Sequence, residues 1–270
     1  MSKLRSLAGF ASALLLAGSA LLPACKSAGD DKYDETRNWS AERMYNEAKA
    51  ELLSGDYKKA IEYYQKLEAR YPYGRYAQQA QLELAYAYHK DAEPVLALAE
   101  TDRFIKLYPE HPNVDYAYYL KGLVNFNEDL GVLGGLANQD MSERDPRAAI
   151  ESFESFRELV TRFPDSRYAP DAYARMRYLL NALANNEVRV GEYYLRRKAY
   201  VAAVNRAQYV LTNYPKTPAV EQALIVMVKA YDAMGLTELR DDSNRLLKLN
   251  YPSTKYSLAS PRQKKWWQFW

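Results

Sequence analysis

From residue 40 to residue 250 apolar side chains recur at helical spacing, and no stretch of useful length alternates apolar with polar as a strand does. Turn residues cut this pattern at intervals. The chain therefore predicts paired helices at 40–54 with 57–71, 75–91 with 94–108, 112–127 with 145–163, 167–197 with 199–214, and 218–234 with 236–250. Ser54-Gly55-Asp56-Tyr57 is a helix stop followed by a helix start. Two places break the rhythm. Gly131, Gly134, Gly135 and Asn138 predict a loop over 128–144 inside the third hairpin, after which Asp145 caps a helix with Pro146 in its first turn. The helix near 167–197 is long, and predicts a join between an N-terminal and a C-terminal sub-array.

The cuts themselves repeat. An aromatic residue precedes Pro five times, at Tyr71-Pro72, Tyr108-Pro109, Phe163-Pro164, Tyr214-Pro215 and Tyr251-Pro252, with the prolines 37, 55, 51 and 37 residues apart. Pro ends a helix because it lacks an amide hydrogen and crowds the residue before it. Eight residues after each of the first four prolines stands Ala80, Ala117, Ala172 or Ala223, a small side chain where two helices can approach closely. Repeats one hairpin long mean a solenoid. Ala48, Ala60, Tyr64, Leu67 and Pro72 fit the tetratricopeptide positions of the first unit. Ala85, Tyr88, Ala97, Phe104 and Pro109 fit the second, and Gly191, Tyr194, Ala203, Val210 and Pro215 a later one. The last unit keeps Ala223, Ala230 and Tyr231 and is looser, as a capping repeat is. The expected fold class is all-α, a tetratricopeptide-repeat superhelical solenoid of about five hairpins.

Ahead of this body, residues 1–24 read as a lipoprotein signal peptide: Lys3 and Arg5, then an apolar stretch from Leu7 to Leu22. That stretch is shorter and more interrupted than the roughly 20 apolar residues of a membrane span. Leu22-Pro23-Ala24-Cys25 resembles the lipobox of bacterial lipoproteins, with Pro23 departing from the usual small or hydroxyl residue. The resemblance implies cleavage before Cys25 and lipidation of it. Lys26 stands where an inner-membrane retention signal would need Asp, which points to the outer membrane. Residues 25–39 predict a lipidated tether, 40–166 and 167–252 the two sub-arrays, and 253–270 a basic, Trp-rich tail.

Composition narrows the function. Of 270 residues 48% are hydrophobic, with 25 Tyr against 7 Phe, which suits groove walls and interfaces as well as the edges of small helical layers. The formal charge is +3, and without the leader's Lys3 and Arg5 it is near neutral, so no broad nucleic-acid footprint is expected. Cys25 is the one cysteine, so no internal disulfide or multi-cysteine metal site is expected. His89 and His111 have no ligand at helical spacing, and no metal or cofactor is expected beyond the covalent lipid on Cys25. Gly131 to Gly135 lacks the ending of a phosphate loop, and Ser152 and Ser155 have no elbow motif, so the chain is not expected to be an enzyme.

Several motifs then resemble one family in order and spacing: Tyr71-Pro72-Tyr73-Gly74-Arg75-Tyr76-Ala77-Gln78-Gln79-Ala80-Gln81-Leu82, Asp102-Arg103-Phe104-Ile105-Lys106-Leu107, and His111-Pro112-Asn113-Val114-Asp115-Tyr116. Arg144-Asp145-Pro146 and Glu192-Tyr193-Tyr194 before Ala202-Ala203-Val204-Asn205-Arg206 continue it, so the resemblance covers about residues 40–252. The family is BamD, lipoproteins of the outer-membrane β-barrel assembly machine. The resemblance implies a scaffold on the periplasmic face of the outer membrane. Its N-terminal repeats would receive unfolded barrel proteins through their C-terminal targeting segment, and its C-terminal repeats would dock on the POTRA domains of BamA beside the other subunits.

Hairpin geometry points Tyr45, Lys49, Tyr86, His89 and Lys90 to the concave side, a Tyr/Lys mixture suited to an aromatic-ended peptide and its carboxylate. Packing for Tyr86 and solvation for the lysines is the competing reading. Tyr194, Arg196, Arg197 and Arg206 are the candidates for C-terminal docking, though the repeat position of Tyr194 favours the core. The tail ends Lys264-Lys265-Trp266-Trp267-Gln268-Phe269-Trp270 and reads in three ways: an interfacial membrane anchor, a docking peptide, or an unstructured extension. Two other functional classes stay open at this point. One is another lipoprotein scaffold such as a secretin pilotin, and the other a cell-wall enzyme carrying repeats, for which the array leaves little chain.

Overall fold

The computed structural model describes residues 34–126 and 146–258. Cys25 and the signal peptide, the expected loop at 128–144 with its Asp145 cap, and the Trp-rich end of the tail lie outside the described residues. The described helices are α1 (Ala41–Ser54), α2 (Tyr57–Arg70), α3 (Arg75–Lys90), α4 (Pro94–Leu107), α5 (Val114–Asn125), α6 (Pro146–Arg162), α7 (Ala169–Arg196), α8 (Tyr200–Asn213), α9 (Ala219–Ala233) and α10 (Thr237–Asn250). The all-α hairpin array expected from the sequence is what forms, with helix ends within two residues of expectation. These helices make one compact unit that starts at Ser40. The described residues ahead of it, 34–39, form a turn of their own, in which the Asp34 carboxylate accepts from the amide and hydroxyl of Thr36.

The aromatic-Pro pairs end helices by one recurring device. The amide of Tyr71, Tyr108, Phe163, Tyr214 or Tyr251 donates to the carbonyl four residues back, at 2.7–2.9 Å. Each carbonyl belongs to a side chain with no exposed surface: Leu67, Phe104, Leu159, Val210 and Leu247. The following proline has no amide to continue the ladder. The tight turn inside a hairpin has its own device. Asp56, Glu93, Ala199 and Leu236 each donate an amide hydrogen to the carbonyl five residues back. The residue before each, Gly55, Ala92, Lys198 or Gly235, takes φ between 60° and 91°. This is the left-handed helix terminator that glycine usually fills, here twice filled by residues with a Cβ.

Packing explains the alanine spacing. Ala80, Ala117, Ala172 and Ala223 are wholly buried, as are Ala48, Ala60, Ala85, Ala97, Ala203 and Ala230. Each helix packs on its sequence neighbours, and first helices of successive hairpins also touch, α1 on α3, α3 on α5 and α7 on α9. In the third hairpin the close approach falls on Gly122, where a Cβ would stand 2.5 Å from the Phe156 ring. The Ser152 hydroxyl donates to the Gly122 carbonyl across that contact, and Ser155 donates to the carbonyl of Glu151. Both hydroxyls hold structure.

The long helix α7, 28 residues, serves two cores. Its first half (Ala169, Ala172, Leu179, Leu183) packs with Phe104, Phe156 and Leu159. Its second half (Ala184, Val188) packs with Val204, Val210, Val226 and Met227. No described helix is long and apolar enough to cross a membrane.

Candidate functional site

A cavity of about 390 Å³ opens where the first helices of the first hairpins meet the start of α7. Leu52 and Leu53 of α1, Leu82 and Tyr86 of α3, and Tyr116 of α5 give it an apolar and aromatic lining. Lys49, Glu83 and Arg167 put charge on it, and Asn113 and Tyr168 complete the wall. Mostly apolar concavities with a few placed polar groups are the usual form of a binding site.

Glu83 organises one end. One carboxylate oxygen accepts the Tyr45 hydroxyl at 2.7 Å and the Lys49 ammonium at 3.0 Å, and the other accepts the Tyr64 hydroxyl. Three donors from α1 and α2 therefore converge on one side chain of α3. The bond to Glu83 holds the Lys49 ammonium above its ordinary pKa, against a burial that would lower it. Burial, then the hydrogen bond to Glu83, pushes the Tyr45 phenol up. Burial, then the Glu83 charge, does the same to Tyr64, so both phenols stay neutral donors.

The other end is aromatic. The Tyr168 ring lies 5.3 Å from Tyr116 and stacks on Tyr119 at 4.7 Å with 18° between planes. The Arg167 guanidinium sits 4.8 Å over the Tyr168 ring and donates to its hydroxyl at 2.6 Å. Burial pushes the Tyr116 phenol up, so it too stays neutral. Below this wall Asp171 accepts from the Tyr119 hydroxyl and from Arg175 Nε, at 2.7 and 2.6 Å. Burial would raise the Asp171 carboxyl, but those two bonds hold it below its ordinary value. Burial first, then the bond to Asp171, takes the Tyr119 phenol up to about 12.

The structure brings together some of the residues expected in the groove. Lys49 and Tyr86 line the cavity. Tyr45 lies beneath it, only 8% exposed, as a support for Lys49 and a ring neighbour of Tyr64 and Tyr76. His89 is one turn further along α3, its ring 6.5 Å from Tyr86, and Lys90 is exposed at the end of that helix. Neither borders the cavity. Glu83, Tyr116, Arg167 and Tyr168 do border it, and sequence reasoning did not single them out. A signal existed for two of them. Arg75-Tyr76-Ala77 and Arg167-Tyr168-Ala169 both start three residues after an aromatic-Pro proline. In both, Arg stacks on the following Tyr, at 4.7 and 4.8 Å, while the Ala is buried.

The C-terminal candidates separate likewise. Tyr194 packs against the second core, and Arg206 pairs with Glu187 of α7 at 3.0 Å. Arg196 and Arg197 are exposed at the end of α7, continuous with exposed Lys198, and Tyr193 beside them is 49% exposed. Among the described residues no group of His, Cys, Asp and Glu could hold a metal ion.

A family model described as YfiO, outer membrane lipoprotein, matches residues 37–246. The chain is 47% identical over 254 residues to the outer membrane protein assembly factor BamD of Neisseria meningitidis serogroup B, covering 92% of this chain and 95% of that one. It is 39% identical over 208 residues to the protein of the same name from Vibrio cholerae, covering 77% and 86%. With the one from Haemophilus influenzae it shares 34% over 263 residues, covering 97% of each chain.

Proposed function

The chain belongs to the YfiO family of outer membrane lipoproteins, whose relatives are named outer membrane protein assembly factor BamD, and on that premise we propose that it is a lipid-anchored scaffold of the β-barrel assembly machinery. It works by binding rather than by catalysis. Lipid on Cys25 holds it to the periplasmic face of the outer membrane. Its N-terminal repeats receive unfolded barrel proteins, and its C-terminal repeats dock on BamA.

The cavity bordered by Lys49, Tyr86, Tyr116 and Arg167 is the observation that carries the client-binding half. An extended peptide ending in an aromatic residue would set its ring against Tyr86 and Tyr116. Its carboxylate would meet Lys49 or Arg167, an interaction stronger than a neutral hydrogen bond. For the docking half, exposed Arg196 and Arg197 remain the candidates, since Tyr194 and Arg206 have partners within the array.

Two measurements test the reading. A fluorescent peptide with a free aromatic C-terminus should bind the purified chain about tenfold or more tightly than the same peptide amidated, since hydrogen bonds to charged groups are worth about 1.5–3 kcal/mol. Tyr86→Ala should weaken binding, and equal affinity for both peptides with unchanged binding by Tyr86→Ala would sink the groove. Affinity purification of the lipoprotein from detergent-solubilised membranes should recover a POTRA-containing barrel protein, and its absence would sink the assembly role.

A further inference from the structure

The cavity carries two cations, Lys49 and Arg167, and their surroundings differ. Lys49 is already engaged. Its ammonium donates to Glu83 Oε1 at 3.0 Å and to the Tyr45 hydroxyl at 3.3 Å, so two of its three N–H groups are taken. With Glu83 this close, that end of the cavity has no net charge. A carboxylate that approaches the ammonium also approaches the Glu83 oxygens, and like charges at that range repel.

Arg167 is exposed and has no carboxylate partner among the described residues. Asp171, four positions on, is held by Tyr119 and Arg175. Asp165, two positions back, borders a different cavity with His111 and Arg162. One N–H group of Arg167 goes to the Tyr168 hydroxyl at 2.6 Å. The rest of its planar fork stays open, and that fork matches both oxygens of a carboxylate. Its support is braced in turn. The guanidinium lies 4.8 Å over the Tyr168 ring, Tyr168 stacks on Tyr119 at 4.7 Å, and Tyr119 donates to Asp171 at 2.7 Å.

Given the client-binding reading of the groove, on which this step rests, we infer that Arg167 alone takes the terminal carboxylate of the bound chain, and that the Lys49–Glu83 pair excludes it from the other end. Glu83 thus determines specificity by repulsion. The groove then has a direction. The last residue of the client lies against Tyr116 and Tyr168, and the chain before it runs towards Leu52 and Leu53 of α1. Leu53, 79% exposed, offers that upstream part an uncovered apolar edge. An internal loop with the same side chains has no carboxylate to give, so the groove selects chain ends over loops.

The test measures binding of an acetylated fluorescent peptide ending in Phe, as free acid and as amide, to the full mature chain. The parent should prefer the acid about tenfold or more, and Arg167→Gln should bring that ratio to about one without changing the affinity for the amide. Arg167→Lys should keep part of the preference, since the charge remains without the fork. Lys49→Gln should leave the ratio within about twofold, because its charge is already neutralised. Arg75→Gln removes an arginine stacked the same way on Tyr76, but outside the cavity, and should change nothing. Glu83→Gln keeps a hydrogen-bonding head and drops the charge, so in that background Lys49→Gln should lower the ratio. A benzophenone on the terminal residue of the peptide should cross-link to Tyr116 or Tyr168, and one placed well upstream should cross-link to α1. An acid preference that survives Arg167→Gln, one lost in Lys49→Gln, equal binding of acid and amide by the parent, or terminal cross-links to α1 overturns the inference and leaves the groove standing. A ratio indifferent to Lys49→Gln in the Glu83→Gln background overturns the exclusion by Glu83. A parent chain that binds neither peptide overturns the groove, and the inference with it.

Discussion

The joint between the first two hairpins and the joint between the last two are built from opposite materials. Between α2 and α3 the contact is laced with polar groups. Tyr64 donates to Glu83, Gln65 to the Tyr88 hydroxyl, and Arg103 bridges Glu68 and Glu100 at 3.5 and 3.4 Å. Burial, then the nearby Glu100, raises the Glu68 carboxyl above its ordinary value. Between α8 and α9 the contact is Val204, Ala207 and Val210 against Ala219, Ala223, Val226 and Met227. Apolar area gives strength without direction, whereas hydrogen bonds fix direction for little net strength. The cavity stands at the polar joint, where Glu83 sets the position of Lys49. The difference teaches that the array spends its directional contacts where side chains have to be aimed, and its apolar contacts where they do not.

The contrast breaks most visibly at the apolar end. Leu247→Ala, at a side chain with no exposed surface, should cost about 2–5 kcal/mol in thermal or denaturant unfolding. A negligible change would mean that burial does not hold the last hairpin. At the polar joint, Glu83→Ala leaves the buried Tyr64 hydroxyl without its acceptor and should cost about 1–3 kcal/mol. Adding Tyr64→Phe should return part of that cost, and a double-mutant cycle with no coupling would show that the joint is not set by this bond. The smallest effect tests what the halves share. Ala92→Gly in the second hairpin and Lys198→Gly in the fourth relieve left-handed backbone in the same turn, so each should stabilise by about 0.5–1 kcal/mol. Unequal melting shifts would show that the two turns are not equivalent.

Much of the architecture was legible because its punctuation is local. A proline and the aromatic before it mark a helix end wherever they stand, and a buried alanine eight residues on needs no knowledge of its partner. Glu83 was not legible for the opposite reason. Its donors are 19 to 38 positions away, on two other helices, and by itself it resembles any acidic residue on a helix face. Tyr168 and Arg167 were hidden because the rings that Tyr168 meets, Tyr116 and Tyr119, stand on α5, far back in the chain. The assignment of Tyr194 to the repeat core followed from its position, and its packing against the second core agrees. Lipidation of Cys25 rests on the sequence, since that residue lies outside those described.

The shallow seating of α10 also has a consequence in time. It commits two buried residues, whereas α9 commits nine. In an array whose helices touch mainly their neighbours, opening proceeds unit by unit rather than all at once. Amide hydrogens of α10 should therefore exchange with solvent sooner than those of α9. Its release bares Leu224 and Ile225 while the Glu83 network, several hairpins away, stays shut. The last helix is thus a fast-opening unit that can leave while α9 stays seated on the helices before it.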